Sequence, residues 1–169
     1  MAKQLDHDPV EAARQYWRDE GWNDSVAGMT VVASITRADQ IFLNQSNSVL
    51  RPFGLTFARY QVLGWLDGGP MLLGELASHM WLTAATVTTS IDGLEKAGLS
   101  RRRMHPDDGR MTLAEITPKG RRVYAAAVEA INTKVFSKVA LSRSEAKQLV
   151  ELIGKIRASV GDIVGVVPR

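Results

Sequence analysis

The sequence predicts a mainly α-helical fold with one small β-hairpin. Three observations carry this. Apolar residues recur in steps of three and four through most of the chain, which is the helical period. Helix-start signals recur as well: Asp8 before Pro9, Thr56, Thr83, Thr117 before Pro118, and Ser142 with Glu145 completing a capping box. One stretch breaks the pattern. RRRMHPDDGRMTLAEI, residues 101–116, sets Asp-Gly between two strand-like runs, a strong local signal for a tight hairpin.

The elements follow in order. DPVEAARQYW starts a helix at Asp8, and GWND breaks it. From Ser25 to about Leu50, Val26, Met29, Val32, Ile35, Ala38 and Phe42 form one helical stripe, ended by RPFGL because proline disfavours helix in the residue before it. FARYQVLGWL is capped by Thr56, with Tyr60, Leu63 and Leu66 on one face. DGGP is a turn, MLLGELASHM a short helix, and WLTAATVTTSIDGLEKAGL a helix capped by Thr83 and stopped by Gly98. Beyond the hairpin a helix runs from Thr117 to about Lys138. The last helix opens at Ser142, with Leu141 as a staple and a stripe of Leu149, Leu152 or Ile153, Ile156, Val160 and Ile163.

Three short helices followed by a hairpin make a winged helix-turn-helix. The chain therefore divides into an N-terminal helical extension (1–22), a long helix (23–54), the winged helix-turn-helix lobe (55–117) and two C-terminal helices (118–169). The long helices carry apolar stripes with little in the chain to bury them, so the expected state is a homodimer packed through them.

Composition narrows the function. The 169 residues are 45% hydrophobic and 23% charged, ordinary globular material, with a formal net charge of +3. With no cysteine, disulfides, zinc-thiolate sites and thiol nucleophiles are excluded. His7, His79 and His105 show no metal-ligand spacing, so no metal and no cofactor is expected. No apolar run approaches the ~18 residues that span a bilayer. The N-terminus lacks the apolar core of a signal peptide, and the chain reads as cytoplasmic. No nucleophile is spaced against a base, so an enzyme is not expected.

The helix from Thr83 is the candidate functional element. Val87, Ile91 and Leu94 face inward. The opposite face shows Ala85, Thr86 and Thr89, flanked by Thr88 and Ser90. Small hydroxyl-bearing side chains let a helix enter a major groove and meet base edges or phosphates. Alone, the segment reads more simply as a surface helix of poor helix formers. Residues 96–122 add eight positive charges (Lys96, Arg101, Arg102, Arg103, Arg110, Lys119, Arg121, Arg122) against three negative (Asp107, Asp108, Glu115). A basic loop beside such a helix suits phosphate neutralisation, although any charge run can be a solvated face. In the hairpin, Arg102 and Arg103 point to opposite faces of a strand.

From about Leu55 to Gly120 the chain closely resembles the MarR family (multiple antibiotic resistance regulators). LTFARYQVLGWL, LGELASHM, TVTTSIDGLEKAGLSRR, DGR and ITPKG fall in that family's order and spacing. The resemblance implies a homodimeric regulator, most often a repressor, on a pseudo-palindromic DNA operator. It places Ala85, Thr86 and Thr89 where relatives reach base edges, and Thr88 near the phosphate backbone. Asp108 and Arg110 match the Asp-x-Arg of the wing. There the arginine enters the minor groove and the aspartate orients a wing arginine. Arg101 matches the arginine after the reading helix, and Arg103 and His105 complete the candidate wing contacts. Thr89 departs from the long basic residue that many relatives carry. An architectural DNA binder without operator or ligand is the alternative.

The resemblance also implies a small effector, often an aromatic acid or phenol, that moves the two reading helices off the ~34 Å spacing of successive major grooves. Trp17, Trp22, Met29, Tyr60 and Trp65 are the candidate lining, although each taken singly reads first as a core or dimer-contact residue. Without cysteine the chain is not a thiol-based peroxide sensor. Trp17 resembles the N-terminal tryptophan helix of urate-responsive relatives, but Gln61 stands where their aspartate is expected, so urate is not carried over.

Overall fold

Each helix start named above is capped by the residue the sequence nominates. The computed structural model describes residues 5–109 and 111–162. The Asp8 carboxylate accepts the Val10 N–H at 2.9 Å. Thr56, Thr83 and Thr117 hydroxyls accept the N–H groups of Arg59, Thr86 and Gly120 at 3.3, 3.2 and 3.0 Å. Ser142 and Glu145 cap each other's backbone N–H at 3.3 and 2.8 Å. Each such cap contributes about 1 kcal/mol by satisfying a donor the helix cannot use.

The elements are α1 (Pro9–Asp19), α2 (Val26–Leu50), α3 (Phe57–Asp67), β1 (Met71–Leu72), α4 (Leu73–His79), α5 (Ala84–Lys96), β2 (Ser100–Met104), β3 (Thr112–Ile116), α6 (Pro118–Lys134) and α7 (Arg143–Ser159). Short 3₁₀ turns lie at Asn23–Ser25, Arg51–Phe53 and Phe136–Lys138. Two compact units result, residues 1–135 and 136–169. In the first, Leu50, Val62, Leu63, Leu66, Leu76, Val87, Ile91 and Ile131 are fully buried in one core. Of the face expected on α3, Leu63 and Leu66 are buried while Tyr60 is half-buried beside them. In the second unit, α7 buries none of its residues, and Leu149, Leu152, Ile156 and Val160 are exposed. Ile163, the last residue expected on that stripe, lies outside the described residues.

Three details differ from the sequence reading. Met71 and Leu72 belong to a strand and not to the helix, because they pair antiparallel with Ala114 and Leu113 of β3. The sheet is therefore three-stranded, in the order β1-β3-β2. Next, α6 stops at Lys134, since Val135 leaves helical geometry with its side chain buried in the core. Finally, the wing is not closed by a two-residue Asp-Gly turn. Its strands end at Met104 and restart at Thr112, and the loop between is held where the His105 N–H meets the Met111 carbonyl at 2.9 Å and the Met111 N–H meets that of Asp108 at 3.0 Å.

The stripe on α2 is largely uncovered. Val26 is buried, but Val32, Ile35 and Phe42 are exposed, Val32 at 64%. No helix among the described residues is long and apolar enough to cross a membrane.

The junction between sheet and α6 is tight. Leu99 offers its carbonyl to the Thr117 N–H at 3.0 Å, and that oxygen sits against Gly120, where any Cβ would overlap it and the Ile116 side chain. Gly120→Ala should therefore destabilise the protein by about 1–3 kcal/mol, the usual cost of overpacking, seen as a lower urea midpoint at unchanged m-value.

Candidate nucleic-acid interface

The candidate reading helix, α5, is anchored by its inward side. Val87, Ile91 and Leu94 are buried against α3 and the sheet, and Ala85, Thr86, Thr88 and Thr89 are exposed on the outer side. The hydroxyls are not idle. Thr86 Oγ1 lies 2.9 Å from Thr83 Oγ1, and Thr89 Oγ1 donates to the Ala85 carbonyl at 3.0 Å. These bonds hold the side-chain rotamers that a groove would meet. Ser90 is a correction to the sequence reading. It is only 8% exposed, and its hydroxyl donates to the Thr86 carbonyl at 3.0 Å, so it belongs to the helix's inner flank. One helical step of 100° carries it past the edge of the outer face.

The wing is fastened to α5 by one arginine. Arg102 holds Asp92 at 2.7 Å and also pairs with Glu95, while its own backbone N–H donates to Glu95 at 2.6 Å. Burial works against its charge, but the two carboxylates outweigh burial and raise the guanidinium pKa above its ordinary value. On the opposite face of the hairpin, Glu115 sits across from Arg101, accepts from its Nε at 3.0 Å, and lies 3.8 Å from Arg103. Arg102 and Arg103 thus do point to opposite faces. Glu115 braces Arg101. His105 Nδ1 accepts the Asp107 N–H at 3.2 Å at the loop's start. Arg110 lies outside the described residues.

These pairings thin out the basic run. Arg101, Arg102 and Arg103 face carboxylates, Arg121 pairs with Asp67 at 2.5 Å, and Lys119 donates to the Ala97 carbonyl at 2.8 Å, capping the end of α5. Lys96 and Arg122 are exposed and carry no ion pair among the described residues. The pairings of Asp92, Glu95 and Glu115 are absent from the sequence analysis, although the strand register that sets Glu115 against Arg101 is a usable signal.

The turn before α5 is unusual. Helices α4 and α5 end in the same motif. At α5, Gly98 takes φ +71°, its N–H meets the Glu95 carbonyl at 2.8 Å, and the Leu99 N–H meets that of Leu94 at 2.8 Å. At α4 the Trp81 N–H meets the Ser78 carbonyl at 3.2 Å, and the Leu82 N–H meets that of Ala77 at 2.9 Å. This left-handed closing position usually holds glycine. Here it holds Trp81 at φ +50°, the only non-glycine residue with positive φ among those described, and the residue is 70% exposed. A left-handed tryptophan costs the fold roughly 1–2 kcal/mol.

The rings among the five candidate ligand-lining residues fall into three sets of contacts. Trp17 and Trp22 meet edge to face at 5.1 Å, both touching Tyr16. Tyr60 packs on the core between Phe57 and Tyr124, where burial first and Tyr124 second push its hydroxyl pKa up. Trp65 meets His79 at 4.6 Å. No ring contact links these three groups among the described residues, and Met29 is half-buried on α2. No group of acidic residues and histidines that could hold a metal occurs among the described residues.

A helix-turn-helix, α4 and α5, with a basic three-stranded sheet at its flank defines a winged-helix DNA-binding protein. Comparison with known proteins agrees. The MarR family model matches residues 53–111. The structure is similar to Sco5413, a MarR family transcriptional regulator from Streptomyces coelicolor, at 32% identity and a TM-score of 0.74, covering 83% of this chain and 99% of that one. It is also similar to the transcriptional repressor CouR of Rhodococcus jostii, solved on a 23-mer DNA duplex, at 26% identity and a TM-score of 0.68, covering 73% and 89% of the two chains. The Bacillus subtilis regulator YsmB is 30% identical over 91 residues, which are 53% of this chain and 62% of YsmB. The chain belongs to the MarR family, and it is a DNA-binding transcriptional regulator, not an enzyme.

Arg102→Ala should strip Asp92 of its cation and leave Glu95 only the backbone N–H of residue 102, loosening the wing on α5. The expected loss is about 1–2 kcal/mol of stability, discounted for the partial exposure of the pair, together with weaker DNA binding. Thermal unfolding and a duplex titration on the same preparation check it; wild-type values in both would remove the clamp.

Proposed function

We propose that the protein is a homodimeric, sequence-specific regulator, acting as a repressor on a pseudo-palindromic operator and released by a small, aromatic or phenolic ligand. The observation that carries the DNA part is the outer face of α5. Ala85, Thr86, Thr88 and Thr89 stand exposed on a helix whose inner face is locked in the core. Because the Thr89 hydroxyl spends its proton on the Ala85 carbonyl, it meets DNA as an acceptor and a methyl. That suits a base amino group or a thymine methyl. The wing contributes Arg101, Arg103, His105, Asp108 and Arg110, with Arg110 in the minor groove. CouR, a repressor solved on a duplex, supports the direction of regulation.

The dimer is supported by the uncovered apolar stripes of α2 and α7. Two copies place two reading helices for successive major grooves. The effector rests on the family resemblance and on the exposed Trp22 and Trp65 rings; it would act only through different affinities for the DNA-competent and incompetent states. As a DNA-bound regulator the protein works in the cytoplasm.

A gel shift on the intergenic DNA beside its own gene tests the reading. Tighter binding there than to an unrelated duplex at equal salt is expected; equal binding would favour an architectural role instead. Arg110→Ala should weaken binding and flatten the salt dependence, whereas Thr89→Ala should change sequence preference at little cost in slope. Phe42→Glu, on the exposed side of α2, should shift sedimentation from dimer toward monomer while circular dichroism keeps its helical signal.

A further inference from the structure

We propose that Trp81 is a DNA contact outside the reading helix: its indole lies along one sugar-phosphate strand at the edge of the groove that α5 enters. The inference rests on the DNA reading above and adds a residue to it. Three observations meet at this side chain. Trp81 occupies a left-handed closing position that glycine fills at no cost, as Gly98 does at the end of α5. The turn's hydrogen bonds are complete without the ring, and the ring itself is largely exposed, so core packing does not repay the strain. A strained residue held by its surroundings and facing solvent points to function.

The location names the partner. Ala77, Ser78, Trp81, Leu82 and Thr83 line an open groove of about 430 Å³. Thr83 is both a wall of that groove and the cap of α5, and its hydroxyl touches that of Thr86 on the DNA-facing side. The groove is thus continuous with the first turn of α5. In a helix-turn-helix the N-terminal residues of the second helix meet bases while the first helix crosses the backbone, so the turn joining them is placed at the edge of the groove. An indole is suited to this position, with an apolar face for deoxyribose and one N–H donor for a phosphate oxygen. Being uncharged, it releases no counterion.

The test compares wild type, Trp81→Gly and Trp81→Phe for duplex binding across a salt series, with thermal unfolding of each. Trp81→Gly should melt at higher temperature, because the strain is gone, yet bind DNA about tenfold more weakly with the same salt slope and the same preference between sequences. Trp81→Phe should fall between. Duplex DNA should shield part of the wild-type tryptophan fluorescence from acrylamide, and Trp81→Phe should lose that shielding. Wild-type affinity in Trp81→Gly, or unchanged shielding in Trp81→Phe, overturns the contact while leaving the DNA reading intact. Failure of the wild type to bind any duplex overturns both.

Discussion

Arg102 makes the helix and the wing a single surface. Its guanidinium reaches Asp92 and Glu95, one turn apart on α5, while its own backbone is part of β2. If α5 and the wing meet neighbouring grooves as proposed, this pairing helps to set their relative placement. A charged, half-buried clamp does this better than apolar packing, because two fixed carboxylates define a direction as well as a distance. At the other end, Lys119 and Thr117 tie the close of α5 to the start of α6 through the Ala97 and Gly98 carbonyls. The reading helix is therefore held at its inner face, its flank and its C-terminus, and only its outer face is left to a ligand.

The same pairings change the meaning of the basic run. Phosphate binding by Arg101 has to compete with Glu115, which already accepts from it. Competition of this kind would lower affinity for any duplex, and the proposed selectivity would then rest on the threonine-rich outer face, whose methyls and acceptor lone pairs add no positive charge.

Most of the fold was legible in the sequence because its signals are local. Caps, glycine stops and three-to-four periodicity act within a few residues, and Asp8, Thr56, Thr83, Thr117 and Ser142 all cap as read. The misses came from interactions between distant segments. Met71 and Leu72 look helical in isolation, and they are a strand because β3 offers them an edge. Ser90 looks like one more outward hydroxyl, and the packing of α5 turns it inward. The aromatic rings sort into three sets of contacts that motif spacing does not reveal.

The family, the order of elements and the outward set Ala85, Thr86, Thr88 and Thr89 were determined by the sequence by itself, since they depend on motif spacing and on which face of a helix is apolar. Tertiary structure alone decided which cations are committed to carboxylates, that Glu115 braces Arg101, and that Trp81 stands exposed in a strained turn. The physical reason is range. A cap or a stripe is complete within one helix, but a charge is paired, a strand is an edge and a tryptophan is uncovered only with respect to chain that folds back from far away.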